Sequence, residues 1–242
     1  MYDLQTFSLA DMVECGAALR RVADGASSME EASRRVVAYF RDNLANETTG
    51  QKACALVRVF KTHPYQSLEP ELQGFARKIA AQSSLPAALN CLTLLATAGD
   101  RPEWNHRTLS GGHQAIPLLS EAMVKAVPMV SQLLHQFGVD VGEVLHPSPS
   151  FLRGASGKSF NVFHVPCAVG SPHIPAQESF VIPAGVKSVL GFGGIFPSGG
   201  LFAVIMFVKV PVPAATADQF KTLALNVKLA LLPYDAGRTF AS

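Results

Sequence analysis

The chain has 242 residues, 48% of them hydrophobic, with a formal net charge of +2 and a pI near 8.4. That is enough Val, Ile, Leu and Phe for one substantial core, and no run of Lys or Arg gathers the charge into a nucleic-acid stripe. The most apolar run, Leu201 to Val208, ends at Lys209, well short of the roughly 20 residues a helix needs to span a bilayer, and Met1 to Gln5 lacks the basic and apolar parts of a secretory leader, so a cytoplasmic protein is expected.

Ser8 and Asp11 read as a helix cap, after which Met12, Cys15, Leu19 and Val22 recur at spacings of three and four. So narrow a seam suits a helical arm over 9–24, laid against its own domain or a second subunit and ended by Gly25. Ser28 and Glu31 form a second capping box, and Val36, Val37, Phe40 and Leu44 give the buried face of a helix near 29–45. A loop with Asn46, Thr48, Thr49 and Gly50 follows. The β-branched run from Ala53 to Phe60 predicts a strand, Leu72, Phe75, Ala76 and Ile79 a short helix, and Leu92 to Gly99 another strand.

Residues 100–160 are less regular, with Gly111-Gly112 and one helix pattern through Met123, Val127, Val130, Leu133, Leu134 and Phe137, which Pro128 kinks or restarts. Phe160 to Val165 alternates like a strand and leads into a proline-punctuated loop, Pro166 to Pro183. Val186 to Phe196 and Leu201 to Val210 are β-rich runs separated by Pro197-Ser198-Gly199-Gly200, which predicts an antiparallel hairpin. Both faces are apolar, so the hairpin belongs inside a sheet covered by helices. Thr216 is the expected cap of a last helix, in which Phe220, Leu223, Val227 and Leu231 form one stripe and Leu225, Leu229 and Leu232 a second. One stripe serves the core and the other needs a partner, so the expected assembly is a homodimer through helices 9–24 and 217–232.

This order of elements resembles a GAF domain, the sensory module of bacterial kinases, cyclases and phosphodiesterases. The resemblance covers residues 29–233. Phe180-Val181-Ile182-Pro183-Ala184-Gly185-Val186-Lys187-Ser188-Val189-Leu190-Gly191-Phe192-Gly193-Gly194, the hairpin, and Ala217-Asp218-Gln219-Phe220-Lys221-Thr222-Leu223-Ala224-Leu225 carry it. More narrowly, the chain resembles the N-terminal input regions of bacterial histidine kinases. The resemblance implies an α+β fold, a GAF/PAS-like central antiparallel sheet flanked by helices. It divides the chain into a helical arm (1–28), a sensory domain (29–233) with a long variable segment (100–160), and a tail (234–242). It implies a signal-input domain that binds a small ligand or cofactor and transmits through terminal helices; its cyclic-nucleotide motif and bilin-bearing Cys have no counterpart here. The variable segment is longer than a typical GAF loop.

Six residues are candidate ligand contacts. Trp104, Arg107 and His113, with His106 nearby, set an aromatic plate among cationic and polar groups, suited to an anionic or planar ligand under a loop lid, although a solvated loop has the same composition. His164, Cys167 and His173 are side chains that bind a metal or haem iron, but their spacing is no known zinc pattern and structural roles compete. A thiol enzyme on the same fold would use Cys91 or Cys167, against which core packing explains Cys54 and Cys91. The four cysteines form no CxxC pair, which suits reduced thiols. Gly191, Gly193 and Gly194 precede no helix N-terminus and suggest a bulge or close approach rather than a phosphate loop. With neither a GxSxG elbow nor an HExxH helix, hydrolase chemistry has no named residues. A purely structural dimerisation module is the remaining alternative.

Overall fold

Six antiparallel strands organise the chain in a computed structural model that describes residues 1–46, 49–125, 127–146, 148, 154 and 161–240. In spatial order the strands are β5 (Ala115–Pro117), β4 (Asn90–Gly99), β3 (Cys54–Pro64), β8 (Leu201–Val208), β7 (Ser188–Ile195) and β6 (Phe163–Val165). Helices cover both faces, which is the expected α+β arrangement of a central antiparallel sheet flanked by helices. A small parallel pair, β1 (Tyr2–Asp3) with β2 (Leu44–Ala45), lies apart from this sheet.

The hairpin of β7 and β8 forms as its composition dictates. Every residue of both strands is buried, and β8 lies between β3 and β7. At the turn, Gly199 takes φ +87° and the Phe196 N–H donates to the Gly200 carbonyl at 2.9 Å. Alternation along β8 splits its side chains between two cores. Phe202, Val204 and Met206 face one, while Leu201, Ala203, Ile205 and Phe207 face the other.

The first core lies beneath α1 (Leu9–Val22), α2 (Met29–Asn43) and α7 (Ala214–Leu231). Met12, Cys15 and Leu19 bury the α1 seam against its own domain, chiefly on α7, so the narrow stripe already has an intramolecular partner. Phe40, Phe192 and Phe220 meet as a ring cluster with centroids 5.3–6.5 Å apart; burying each of these rings contributes roughly 1.5–3 kcal/mol. The second core lies beneath α4 (Glu121–Lys125), α5 (Pro128–Phe137), α6 (Val141–Leu145) and the chain that precedes β7. The remaining helix, α3 (Pro70–Ala80), packs near β5 at the sheet edge.

Several boundaries differ from the sequence expectation for local reasons. α2 stops at Asn43 because Leu44 turns extended, at φ −92° and ψ 117°, to pair with Tyr2. Ser28 does cap it, accepting from the Glu31 N–H at 3.1 Å, but the Glu31 carboxylate reaches back to Ser27 rather than to Ser28. Thr216 is not the cap of the last helix. It is buried in the first turn, and the helix starts directly after Pro213, whose carbonyl accepts from the Ala217 N–H. Pro128 restarts the middle helix by occupying the first position of α5. Strand β3 runs on to Pro64 through Lys61, Thr62 and His63, all buried despite their polarity. The loop from Pro166 holds a wide helical turn, Gln177–Val181. Thr48 and Phe160 lie outside the described residues.

Candidate functional site

On the second face of the sheet the strands and the variable segment leave a cavity of about 370 Å³. Its floor is the outward row of β3, Leu56, Arg58, Phe60 and Thr62, beside Leu201, Ala203, Ile205 and Phe207 of β8. Its roof and walls come from α5, the Ser110–His113 loop, Ile174–Ala176 and Phe180. The volume lies in the range of small-molecule sites, roughly 300–1,000 Å³.

One wall is built around Trp104. Its backbone carbonyl accepts from the Thr97 hydroxyl at 2.8 Å, and its ring meets Phe180 edge to face, with centroids 5.3 Å apart. Phe180 in turn stands edge to face on Phe207 at 4.8 Å. Asn105 secures the turn by exchanging hydrogen bonds with the N–H and carbonyl of Gly99. Gly99 has to be small, because a Cβ there would stand 2.9 Å from the Trp104 ring and 3.0 Å from the Ala55 carbonyl oxygen.

Among the described residues lining the cavity, Arg58 is the only formally charged side chain. It is paired with Thr97 and Ile205 in the sheet, and its Nε is buried with no hydrogen-bond partner among the described residues. The side chain is half-buried, and desolvation pushes its pKa down to about 10, so at neutral pH it keeps its charge and bears part of the cost of burial. Ser110 also lines the cavity, 6% exposed, with its hydroxyl unpartnered among the described residues. His113 completes this polar group. Although it is exposed, part of its surface faces the cavity it lines, and the crowding of its ring, followed by the nearby Arg58 charge, pushes its pKa down to about 4. Thr62 is already used, since its Oγ1 accepts from the Leu201 N–H at 2.9 Å.

Of the six residues singled out in the sequence, the structure brings Trp104 and His113 to the cavity. Arg107 lies outside its lining. The Arg107 Nε is 3.0 Å from Glu30 and an Nη 2.9 Å from Glu69, so its charge is met by two carboxylates. His164, on β6, has its ring Nε2 at 3.1 Å from the Val212 carbonyl. Cys167 is exposed with its Sγ 3.6 Å from the Val169 carbonyl, and the His173 N–H donates to Ser171. Neither these three nor any other His, Cys, Asp and Glu side chains among the described residues form a group of three able to hold a metal ion. Burial pushes the thiols of Cys15, Cys54 and Cys91 up to about 12, far from the thiolate a nucleophile needs. Sequence reasoning missed Arg58 and Ser110. For Arg58 a signal existed: it is one charge inside the apolar run Cys54 to Phe60.

No family model matches the sequence, and no curated protein is matched by it. Among solved structures the chain is similar to the GAF domain of a phosphoenolpyruvate-protein phosphotransferase from Coxiella burnetii, with a TM-score of 0.46, 11% identity, and coverage of 94% of this chain and 95% of that one. It is also similar to the N-acylhomoserine lactone dependent LuxR family transcription factor CepR2 from Burkholderia cenocepacia, with a TM-score of 0.43, 12% identity, and coverage of 94% and 98%. A further likeness, with a TM-score of 0.38 and 8% identity over 93% of this chain, is to the chromophore-binding domain of the bacteriophytochrome RpBphP3 from R. palustris, of which 63% is covered.

Proposed function

We propose that this chain is a signal-input domain in which a small molecule enters the cavity and biases the packing of α1 and α7 in a homodimer. The single observation that carries this reading is the placement of the cavity and the terminal helices on opposite faces of the same strands. Ile205 lines the cavity while Val204 and Met206, its neighbours in β8, belong to the core beneath the helices. A ligand that shifts the strand therefore shifts the bed on which α7 rests, by no more than its differential affinity for the two packings allows.

The dimer surface is the outer side of the α1/α7 pair, where Leu9, Val13, Leu225 and Leu229 are exposed. An apolar set of this kind favours a second copy. No helix among the described residues is long and apolar enough to cross a membrane, and the reading places the protein in the cytoplasm. The test is the distance between spin labels at Thr222 of two copies, with and without a bound ligand. A distribution that does not move when the cavity fills would remove the transmission step, and a monomer at micromolar concentration would remove the dimer.

A further inference from the structure

Resting on the small-molecule reading of the cavity, we propose that its ligand is an organic monocarboxylate with an apolar body, its carboxylate held by Arg58 and Ser110. The cavity is almost wholly apolar, which selects a hydrocarbon or aromatic body, and the described residues of its lining include no acidic side chain. Within it stand a guanidinium whose Nε has no partner among the described residues and a hydroxyl, 94% buried, in the same condition. Buried polar groups in folded proteins are hydrogen-bonded, and a buried charge is paired. Arg58 cannot escape the cost by losing its proton at neutral pH, as Lys could, so an anion that enters the cavity is what relieves it.

The number of donors limits the class further. A guanidinium presents parallel N–H groups that match the two oxygens of a carboxylate, and the Ser110 hydroxyl adds one donor. A phosphate ester carries a charge of about −1.5 to −2 at neutral pH and three acceptor oxygens. One cation and one hydroxyl do not satisfy it. His113 is neutral at that pH, with its pKa near 4, and offers at most one further donor.

Trp104 is the only tryptophan of the chain and lines the cavity, so its fluorescence reads occupancy directly. The experiment titrates the full chain with octanoate, octanol and octylamine, which share a body and differ in the head. Octanoate is expected to bind about tenfold or more tightly than octanol, with octylamine weakest. Arg58→Met is expected to remove the preference while octanol still binds, and Ser110→Ala to reduce it by several-fold. Equal affinity for octanoate and octanol in the unmodified protein overturns the carboxylate assignment and leaves the small-molecule site standing. So does a preference that survives Arg58→Met in protein that melts cooperatively. If none of the three changes the Trp104 emission or releases heat in calorimetry, the small-molecule reading fails together with the assignment.

Discussion

The guanidinium of Arg107 lies over the ring of Phe240, with Cζ 4.7 Å from the ring centroid. The same ring meets His63 at 6.0 Å, and the carbonyls of Arg238 and Thr239 accept from the first N–H groups of α2, at Met29 and Glu30. Asp235 adds a buried ion pair to Lys61 at 3.4 Å and a hydrogen bond to Ser198 in the hairpin turn. The end of the described chain is thus tied to three separate elements, and Arg107 serves that tie rather than the cavity.

Replacing Arg107 by Met leaves the 8%-exposed Glu30 side chain without its arginine, and breaking a buried pair costs about 3–5 kcal/mol. Urea denaturation should register that loss. Affinity for octanoate, by contrast, should stay within about twofold, because Arg107 does not line the cavity. A large loss of affinity in folded Arg107→Met would return this residue to the site.

Phe240→Ala should release the tail and cost about 2–4 kcal/mol, a little under the usual loss for a core phenylalanine since the residue keeps 8% of its surface exposed. Hydrogen exchange at Met29 and Glu30 should accelerate while the amides of β8 keep their protection. Uniform acceleration across both would show that the tail has no separate opening.

Gly193 is fixed by the backbone opposite. A Cβ at this position would stand 2.0 Å from the Phe202 carbonyl oxygen and 3.0 Å from the Ala203 Cα, so neither a rotamer change nor a flexible side chain relieves the overlap. Gly193→Ala is expected to cost about 3 kcal/mol or more, read as a lower melting temperature. At Gly191 the obstruction is the Ile205 side chain at 2.9 Å, and the cost of Ala there should be smaller.

Acid should destabilise the protein before carboxylates titrate. His63 is buried with both ring nitrogens unpartnered among the described residues, and burial, then Lys61 beside it, pushes its pKa down to about 3. The unfolded chain, with a histidine near 6.5, takes the proton first as pH falls, so stability present above about pH 6.5 is lost on the way toward pH 3. For one such group the loss is about 2 kcal/mol between pH 6.5 and 4.5. His63→Leu should remove its share of that slope, leaving the part due to the other histidines whose pKa is lowered, His113 and His164. An unchanged slope would mean that the ring is protonated in the folded state.

Leu225→Glu combined with Leu229→Glu tests the proposed dimer surface. Both side chains are exposed, so the fold should lose less than about 1 kcal/mol while the mass in solution halves. A double variant that remains dimeric places the contact elsewhere.

Much of the architecture was legible because local patterns carry it. The apolar runs on either side of Pro197–Gly200 specify a hairpin, and the spacing of Met12, Cys15 and Leu19, like that of Phe220, Leu223 and Val227, specifies a one-sided helix. The three-residue strand β5 is too short to print a period, whereas the alternation that ends at Val165 does mark β6; both are held by partners 22–28 residues away, as in Cys91 with Pro117 and Phe163 with Gly191. Of the residues singled out in the variable segment, Trp104 and His113 line the cavity.

What the sequence determined by itself is the long helices and strands, and the two-sided dryness of the hairpin, since both follow from side-chain period and composition along a continuous stretch. Only the tertiary structure decided which arginine is spent and which is left over. Arg107 finds Glu30 and Glu69, while Arg58 faces a greasy cavity with no acid among the described residues of its lining. Whether a charge is met depends on residues brought together from distant parts of the chain, and no local pattern encodes that.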